Sequence, residues 1–567
     1  MPLSQRARWP SSLRPWPGWQ WQQPQQWRAC RCYGHGAGVQ AASASSAAPA
    51  WHEFNEAVAA LPTFLAHSKQ VKVLSEPREF YETLLERIST AQQRIFVASL
   101  YVGKQEDELV QALGSALERN ARLSVVVVLD YLRSTREHPK PSSASLIAAL
   151  AAKYPDRCHL RLYHTPNLSG WRKRLIPRRF DEGWGLQHMK CYGFDDSVIM
   201  SGANLSNDYF TNRQDRYIEF KHNAPLADYF AELLDVTSSF SFQVTASDAA
   251  TKHPRIDIHW PRNNIVSTSF LQKPSIIPDL KARVHDRLEQ LTSKWRSKSA
   301  SARTSMSEPG SDSVPDTILR PTLQMGTFEI RQETDVLVPS FFKLADDLAV
   351  APNGWKTTID WTSGYFSVQQ RYQELVLASK AQVRLVSASP DANGFTGSRG
   401  ISKYIPPAYT HLQKLFYDQA EARSRQSGRE NHISIREWRR PGWTYHAKGI
   451  WLSPSYPNPV RDFKSHNLSP FADANDADLY FRHSGRQRPC LSLIGSSNYG
   501  RRSASRDLEA NVLIQTTSRD LSLELKREVE SIREYAVDRV NDRLFAKKDR
   551  KVKEGVKVAA KLIEDML

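Results

Sequence analysis

The sequence predicts an α/β protein of two half-domains, each a mixed, largely parallel sheet flanked by helices, meeting at a pseudo-twofold cleft. Three observations carry that expectation. A strand-helix-strand order occurs twice, a His-x-Lys triplet occurs once in each copy, and each triplet is followed by a small-residue turn bearing an asparagine.

In the first half, "RIFVASLYVG" (94–103) is apolar and β-rich, "EDELVQALGSALERN" (106–120) has helical periodicity, and "LSVVVVLDY" (123–131) reads as a second buried strand. The second half repeats the order with "KTTIDWTSGYFS" (356–367), "QRYQELVLASKA" (370–381) and "QVRLVSASP" (382–390). Two β-α-β runs imply parallel pairing inside each half.

The triplets are His188 and Lys190 in "QHMKCYGFDDS", and His446 and Lys448 in "YHAKGIWLS". They stand 258 residues apart, close to the 262 that separate Ile95 from Thr357 in the surrounding units. One such triplet is weak; two at the repeat's own offset are strong. In a strand, positions i and i+2 share a face, so each histidine points with its lysine. Asparagines follow in "SGANLSNDYF" (Asn204) and "GSSNYGRRSASRDLE" (Asn498), then carboxylates before apolar strands, Asp215 in "NRQDRYIEF" and Glu509 in "RDLEANVLI". Asp195 completes H-x-K-x4-D in the first half, whereas Ser453 stands at that place in the second.

Two imidazoles, two ammonium groups and two amides converging on one cleft suit phosphoryl chemistry. Lysines and asparagines would hold non-bridging oxygens, one histidine would attack phosphorus, and the other would protonate the leaving group. Asp215 and Glu509 would fix the imidazole tautomers. The protein supplies the cations, so no metal or other cofactor is expected. Residue pattern alone leaves open which histidine attacks. A lone histidine on an apolar strand is ordinarily a satisfied core residue, but two buried lysines facing the same way are costly without an anion.

The chain has 567 residues and a formal net charge of +17, which favours an anionic partner without choosing among nucleic acid, membrane surface and phosphorylated small molecules. Its five cysteines are scattered, which argues against a disulfide framework. No apolar run approaches the roughly 18 residues of a spanning helix, so membrane contact would be peripheral. Residues 1–50 hold Arg but no Asp, Glu or Lys, a composition that fits a mitochondrial transit peptide or a disordered tail.

The expected organisation is a first half-domain at 51–290, a Ser-rich linker at 291–320 and a second half-domain at 321–520, interrupted by a polar loop at 454–489. A basic helix at 521–567 would lie on a membrane or pack on the domain. "WRKRLIPRRF" (171–180) reads as a contact with anionic lipid or as a solvated basic loop.

The duplicated H-x-K-x4-D with its G-S/G-x-N resembles the phospholipase D superfamily. Within it the chain is similar to the mitochondrial phosphatidylglycerophosphate synthases of eukaryotes, through "SLYVG", "LDYLRSTR", "GLQHMKCYGFDDSVIMSGANLSNDYFTNRQDRYIEF", "TSGYFS", "SASPDANGF", "IPPAYTH", "YHAKGIWL" and "LIGSSNYGRRSASRDLEANVLI", across most of residues 70 to 520. The resemblance implies phospholipase D-like half-domains and phosphatidyl transfer from CDP-diacylglycerol to glycerol 3-phosphate at the inner mitochondrial membrane, with no nucleic-acid partner. It also implies that His188 is the nucleophile that displaces CMP, that His446 is the acid and then the base, and that the Asp195 position is supporting. Arg133, Arg136, Arg213, Arg501, Arg502 and Arg506 stand near the motifs and are candidates for substrate phosphates. Competing readings are another superfamily phosphodiesterase or transferase, such as a phosphatidylserine or cardiolipin synthase or a nuclease, and a non-catalytic membrane-binding protein.

Overall fold

The computed structural model describes residues 48–178, 180–247, 251–305, 314–350, 356–429, 432–455 and 487–563. The apolar β-branched runs become the centres of two sheets, because strands covered by helices on both faces need no polar alternation. Arg94–Ala98, Ser124–Asp130 and Cys158–Tyr163 pair in parallel, and Lys356–Ser363, Gln382–Ala388 and Ile433–Trp438 repeat the arrangement. Amphipathic helices Asp107–Arg119 and Gln370–Ala378 make the crossovers.

Within the described part of the two large sheets, parallel pairing is confined to these β-α-β cores. Strands joined by short connections must run antiparallel. Cys191–Phe194 therefore adds antiparallel to Arg94–Ala98, followed by Ser197–Ser201, Tyr217–Phe220 and Val71–Leu74, within a mixed sheet of nine strands. The second sheet, of ten strands, matches it: Gly449–Ser455 adds to Lys356–Ser363, followed by Leu491–Gly495, Glu509–Thr516 and Thr317–Met325. Each His-x-Lys lies in the extended segment that enters the first of these added strands.

The expected boundaries need correction. Helix Ile277–Ser305 runs through 291–305 and strand Thr317–Met325 begins before 320, so the expected linker is largely ordered structure. The reason is an apolar stripe, Leu280, Val284, Leu288, Leu291 and Trp295, that stays buried as the other positions turn Ser-rich. Nor does the chain divide cleanly at the halves. Phe64–Ala66 pairs with Thr317–Met325, and Trp51 and Phe54 of helix Ala48–Ala57, with Val58 just after it, share a core with Phe341 and Phe342. The single basic helix expected at 521–567 is instead the end of Arg519–Glu534, a short strand at Asp538–Arg539, and further helices. The last of these, Glu554–Ile563, packs Val556 and Ala560 on Ala408. The leader up to residue 47 and loop residues 456–486 lie outside the described residues. Among the described residues no helix is long and apolar enough to cross a membrane.

Candidate active site

The segment before each strand is fixed by polar anchors. Gln187 donates from Nε2 to Ser99 O at 3.1 Å, while its own N–H reaches Asp130 Oδ2 at 2.9 Å. This ties His188 to the parallel core. On the other side Tyr445 bonds Thr362 and stacks on Trp438, with ring centroids 4.8 Å apart.

The two halves then cross-link by short parallel bridges. His188 N–H donates to Leu508 O at 3.0 Å and Leu508 N–H to Leu186 O at 2.8 Å. Thr444 and Tyr445 pair in parallel with Arg213 and Gln214, and His446 N–H donates to Gln214 O at 2.8 Å. Each bridge places a histidine beside the carboxylate of the opposite half. His188 Nδ1 lies 2.9 and 3.0 Å from the two oxygens of Glu509, and His446 Nδ1 lies 2.7 Å from Asp215 Oδ2. All four side chains are buried. A carboxylate on Nδ1 keeps the proton there and leaves the Nε2 lone pair for chemistry.

Lys190 and Lys448 are fully enclosed. Lys190 Nζ donates to His188 O at 2.7 Å, and Lys448 Nζ lies 2.7 Å from His446 Nδ1, on the edge of the ring that faces Asp215, and reaches Gly202 O at 3.3 Å and Asp215 Oδ2 at 3.5 Å. Gly202 is required for that approach, since a Cβ would stand 2.6 Å from Lys448 Nζ. Burial, and then the Lys190 charge, hold the His188 imidazole well below its ordinary value; burial, then Lys448 and Arg213, do the same to His446. Burial also lowers both lysines, opposed by Glu509 at Lys190 and by Asp215 at Lys448. Asn204 donates to Tyr209 OH at 3.1 Å, and the amide oxygens of Asn204 and Asn498 are buried without a partner. Unsatisfied amides beside buried cations mark a place built for a polar ligand.

One His/Asp/Glu group among the described residues is close enough to ligate a metal: His188, Asp507 and Glu509. Its oxygens are already engaged, Asp507 by Leu186 N–H and Arg502 at 2.9 Å each, and Glu509 by His188 and the Ser496 hydroxyl. A cation there would have to displace Arg502 or His188, against the nearby Lys190 charge, so the group fits an orienting role better than a metal site.

Residues 84–235 match the family model described as cardiolipin synthase, PLD-like domain. The CDP-diacylglycerol–glycerol-3-phosphate 3-phosphatidyltransferase of Saccharomyces pastorianus is 37% identical over 543 residues, covering 92% of this chain and 94% of its own. The mitochondrial enzyme of that name from Mus musculus is 34% identical over 522 residues, covering 91% and 86%. The chain belongs to this phosphatidyltransferase family. In fold, it is similar to the phosphatidylserine synthase of Haemophilus influenzae Rd KW20, with a TM-score of 0.59 at 19% identity over 91% of this chain and 99% of that one.

For a member of the phosphatidyltransferase family, the fate of the motif aspartate is informative. Asp195 is not in the cleft. It lies seven positions beyond His188, roughly 23 Å of extended chain, and sits in the hairpin turn with φ 51°. Its carboxylate accepts from the N–H groups of Gln92, Gln93 and Arg94 at 2.8, 2.8 and 3.1 Å. Its job is to start the neighbouring strand. In the second half the chain needs no turn there, because the strand runs on to Ser455 and Ser453 pairs with Thr358. A serine therefore serves. Asp195→Ala is expected to lower stability by about 0.5–1.5 kcal/mol, the net worth of a hydrogen bond whose donors can turn to water, with turnover per folded molecule unchanged; chemical denaturation beside an active-site titration checks both.

The arginines separate into two sets. Arg213 and Arg502 lie close enough to depress His446 and His188 respectively. Arg213 stacks on Tyr209 at 4.7 Å and pairs with Asp208 at 3.0 Å, and Arg502 holds Asp507. Arg133 and Arg136 instead grip Glu182, and Arg506 caps Gly183 O at 2.8 Å, so these three brace the segment leading to His188. Arg501, next to Arg502 in the helix Arg501–Ser505, is half-buried. The tyrosines at the site were not anticipated from sequence. Tyr209 and Tyr365 meet the His446 ring edge-on at 5.3 and 5.6 Å, and Tyr409 stacks on Tyr365 at 5.3 Å. Their only sequence signal is aromatic residues within the motif segments "SNDYF", "TSGYFS" and "IPPAYTH".

Proposed function

We propose that this chain transfers a phosphatidyl group from CDP-diacylglycerol to sn-glycerol 3-phosphate, releasing CMP, for phosphatidylglycerol and cardiolipin synthesis in mitochondria. The observation that carries the mechanism is the reciprocal pair of neutral imidazoles, each fixed at Nδ1 by the opposite half's carboxylate. His188 Nε2 bonds to the phosphorus that carries the diacylglycerol, and the P–O bond to CMP breaks, with His446 giving its Nε2 proton to the departing oxygen. In the second step His446 takes the proton of a glycerol hydroxyl, that oxygen bonds to phosphorus, and the N–P bond to His188 breaks.

His446 must be protonated for the first step, although burial and the charges of Lys448 and Arg213 favour its neutral form. The negative pyrophosphate supplies the missing field, since an anion nearby favours the imidazolium. Lys190 and Lys448 hold the non-bridging oxygens, with charge already in place as it develops. A half-turn of the Asn204 amide lets Oδ1 accept from Tyr209 and aims its N–H groups at the same oxygens; Asn498 is assigned the matching role. Arg213 and Arg502, one beside each histidine, are assigned to the acceptor's phosphate and the pyrophosphate. The basic chain works peripherally on the inner membrane, with the leader as its targeting segment and lipid rather than nucleic acid as its anionic partner.

The test uses CDP-diacylglycerol labelled at the lipid phosphate, in mixed micelles containing EDTA. The wild type is expected to release CMP only with acceptor in steady state, and to carry an acid-labile, alkali-stable label when acceptor is withheld, as a phosphoramidate does. His188→Ala is expected to lose label and turnover together. Sustained CMP release without acceptor would make the protein a hydrolase instead, and turnover without label would remove the covalent intermediate.

A further inference from the structure

Nine large apolar residues stand exposed among the described residues, and three fall within ten positions: Trp171 at 67%, Leu175 at 72% and Phe180 at 39%. That clustering is not expected of scattered surface apolar residues. Trp171 and Leu175 are four apart in the helix Gly170–Leu175, so they share one face. Arg172, Lys173, Arg174 and Arg178 interleave with them.

The projection is braced from below. Lys173 Nζ meets His164 Nε2 at 3.1 Å and lies over the Tyr131 ring at 5.3 Å. His164 is wholly buried and donates from Nδ1 to Thr165 O at 2.9 Å, and burial keeps its ring neutral, so Nε2 can accept from the ammonium. Arg172 lies over the rings of Trp171 and Trp184, at 5.6 and 5.4 Å. The chain then enters the turn Asp181–Trp184, which Arg133, Arg136 and Arg506 hold, and reaches His188 four residues later. The exposed apolar pair is thus joined to the reaction centre through a short, pinned connector.

We infer that the helix Gly170–Leu175 is the element that docks this protein on an anionic bilayer, with Trp171 and Leu175 entering the headgroup boundary and the surrounding cations meeting lipid phosphates. The inference rests on the lipid substrate proposed above. An apolar face rimmed by cations matches an interface whose outer layer is negative and whose inner layer is apolar. Nucleic acid would use the cations but leave Leu175 in water, and a protein partner would have no need of three further cations, Arg172, Arg174 and Arg178, on one short segment beside the bracing Lys173. Docking here would bring the lipid substrate in beside the braced approach to His188.

The test compares the full chain with Trp171→Ser/Leu175→Ser and Arg174→Gln/Arg178→Gln, by flotation with vesicles of phosphatidylcholine alone or mixed with phosphatidylglycerol. Wild type is expected to bind the mixed vesicles and to be released by salt. The apolar pair of substitutions is expected to weaken partitioning at least about 10-fold, and the charge pair to reduce the salt dependence. Turnover of a short-chain, water-soluble CDP-diacylglycerol is expected to be unchanged in both variants, with unchanged circular dichroism. Undiminished vesicle binding by both variants, or equal binding of wild type to neutral vesicles, overturns the docking surface. Failure of wild type to turn over the short-chain substrate counts against the proposed reaction and leaves the flotation result to decide docking on its own.

Discussion

Replacing Glu509 by Gln is expected to lower CMP release about 10³- to 10⁴-fold, the scale seen when a catalytic histidine loses its orienting carboxylate. Glu509 holds His188 Nδ1 with both oxygens and takes the Ser496 hydroxyl on Oε2. An amide can present N–H to Nδ1, which moves the imidazole proton to Nε2, where attack must occur. Because the carboxylates are exchanged between halves, the double variants follow an unusual pattern. Glu509→Gln added to His188→Ala should cost little more than His188→Ala alone, since the two residues act as a unit. The same holds for Asp215→Asn with His446→Ala. Single-turnover CMP release measures each cycle, and coupling of Glu509 to His446 rather than His188 would sink this assignment.

The pH profile adds a second readout of the same site. A lowered histidine pKa means that the neutral, nucleophilic form persists to lower pH. The acid limb of kcat/KM for CMP release is therefore expected below pH 6.5, the ordinary imidazole value. An acid limb at or above that value would contradict the buried, lysine-flanked setting of His188.

The reacting groups were legible because duplication filters chance: His188 and Lys190 recur as His446 and Lys448 at one offset, and Asn204 recurs as Asn498 in the same order, farther along only because the polar loop at 454–489 intervenes. Partnership was not legible. The sequence places Asp215 27 residues after His188 and Glu509 in the other half, yet backbone bridges give His188 to Glu509 and His446 to Asp215. Only topology decides that exchange. For Asp195 the motif implied a supporting residue, but only the fold shows that the support is given at the strand turn and not in the cleft. The β-α-β cores were readable from apolar periodicity, but the antiparallel additions depend on hairpin geometry. The apparent linker hid a buried stripe under a serine-rich surface. Tyr209 and Tyr365 went unremarked because an aromatic in a strand-rich segment is ordinarily core.

Arg216 is the residue whose loss should unfold the protein most readily. It follows Asp215 in the first half, yet its guanidinium is buried in the second. Nε and one terminal nitrogen donate to the two oxygens of Glu528 at 2.8 and 2.9 Å. The other terminal nitrogen donates to Leu493 O at 2.7 Å, and the group lies 3.9 Å over Trp451. Gly449, the residue after the second His-x-Lys, is required by this crossing, because a Cβ there would stand 1.8 Å from the guanidinium. Arg216→Ala strands the Glu528 charge in the interior and is expected to cost about 3–5 kcal/mol. Pairing Arg216→Met with Glu528→Gln should recover most of that loss, since the buried charge is removed with its partner while Trp451 keeps an acceptor for its N–H. Urea unfolding, or unfolding rates where refolding fails, distinguishes the two variants. A single-variant loss under about 1 kcal/mol, the scale of an exposed ion pair, would show that the buried Arg216–Glu528 pair adds little to what holds the halves. Turnover per folded molecule is expected to survive in part, because the main-chain N–H of Arg216, which both substitutions keep, donates to Asp215 Oδ1 at 2.9 Å and continues to set the carboxylate that orients His446.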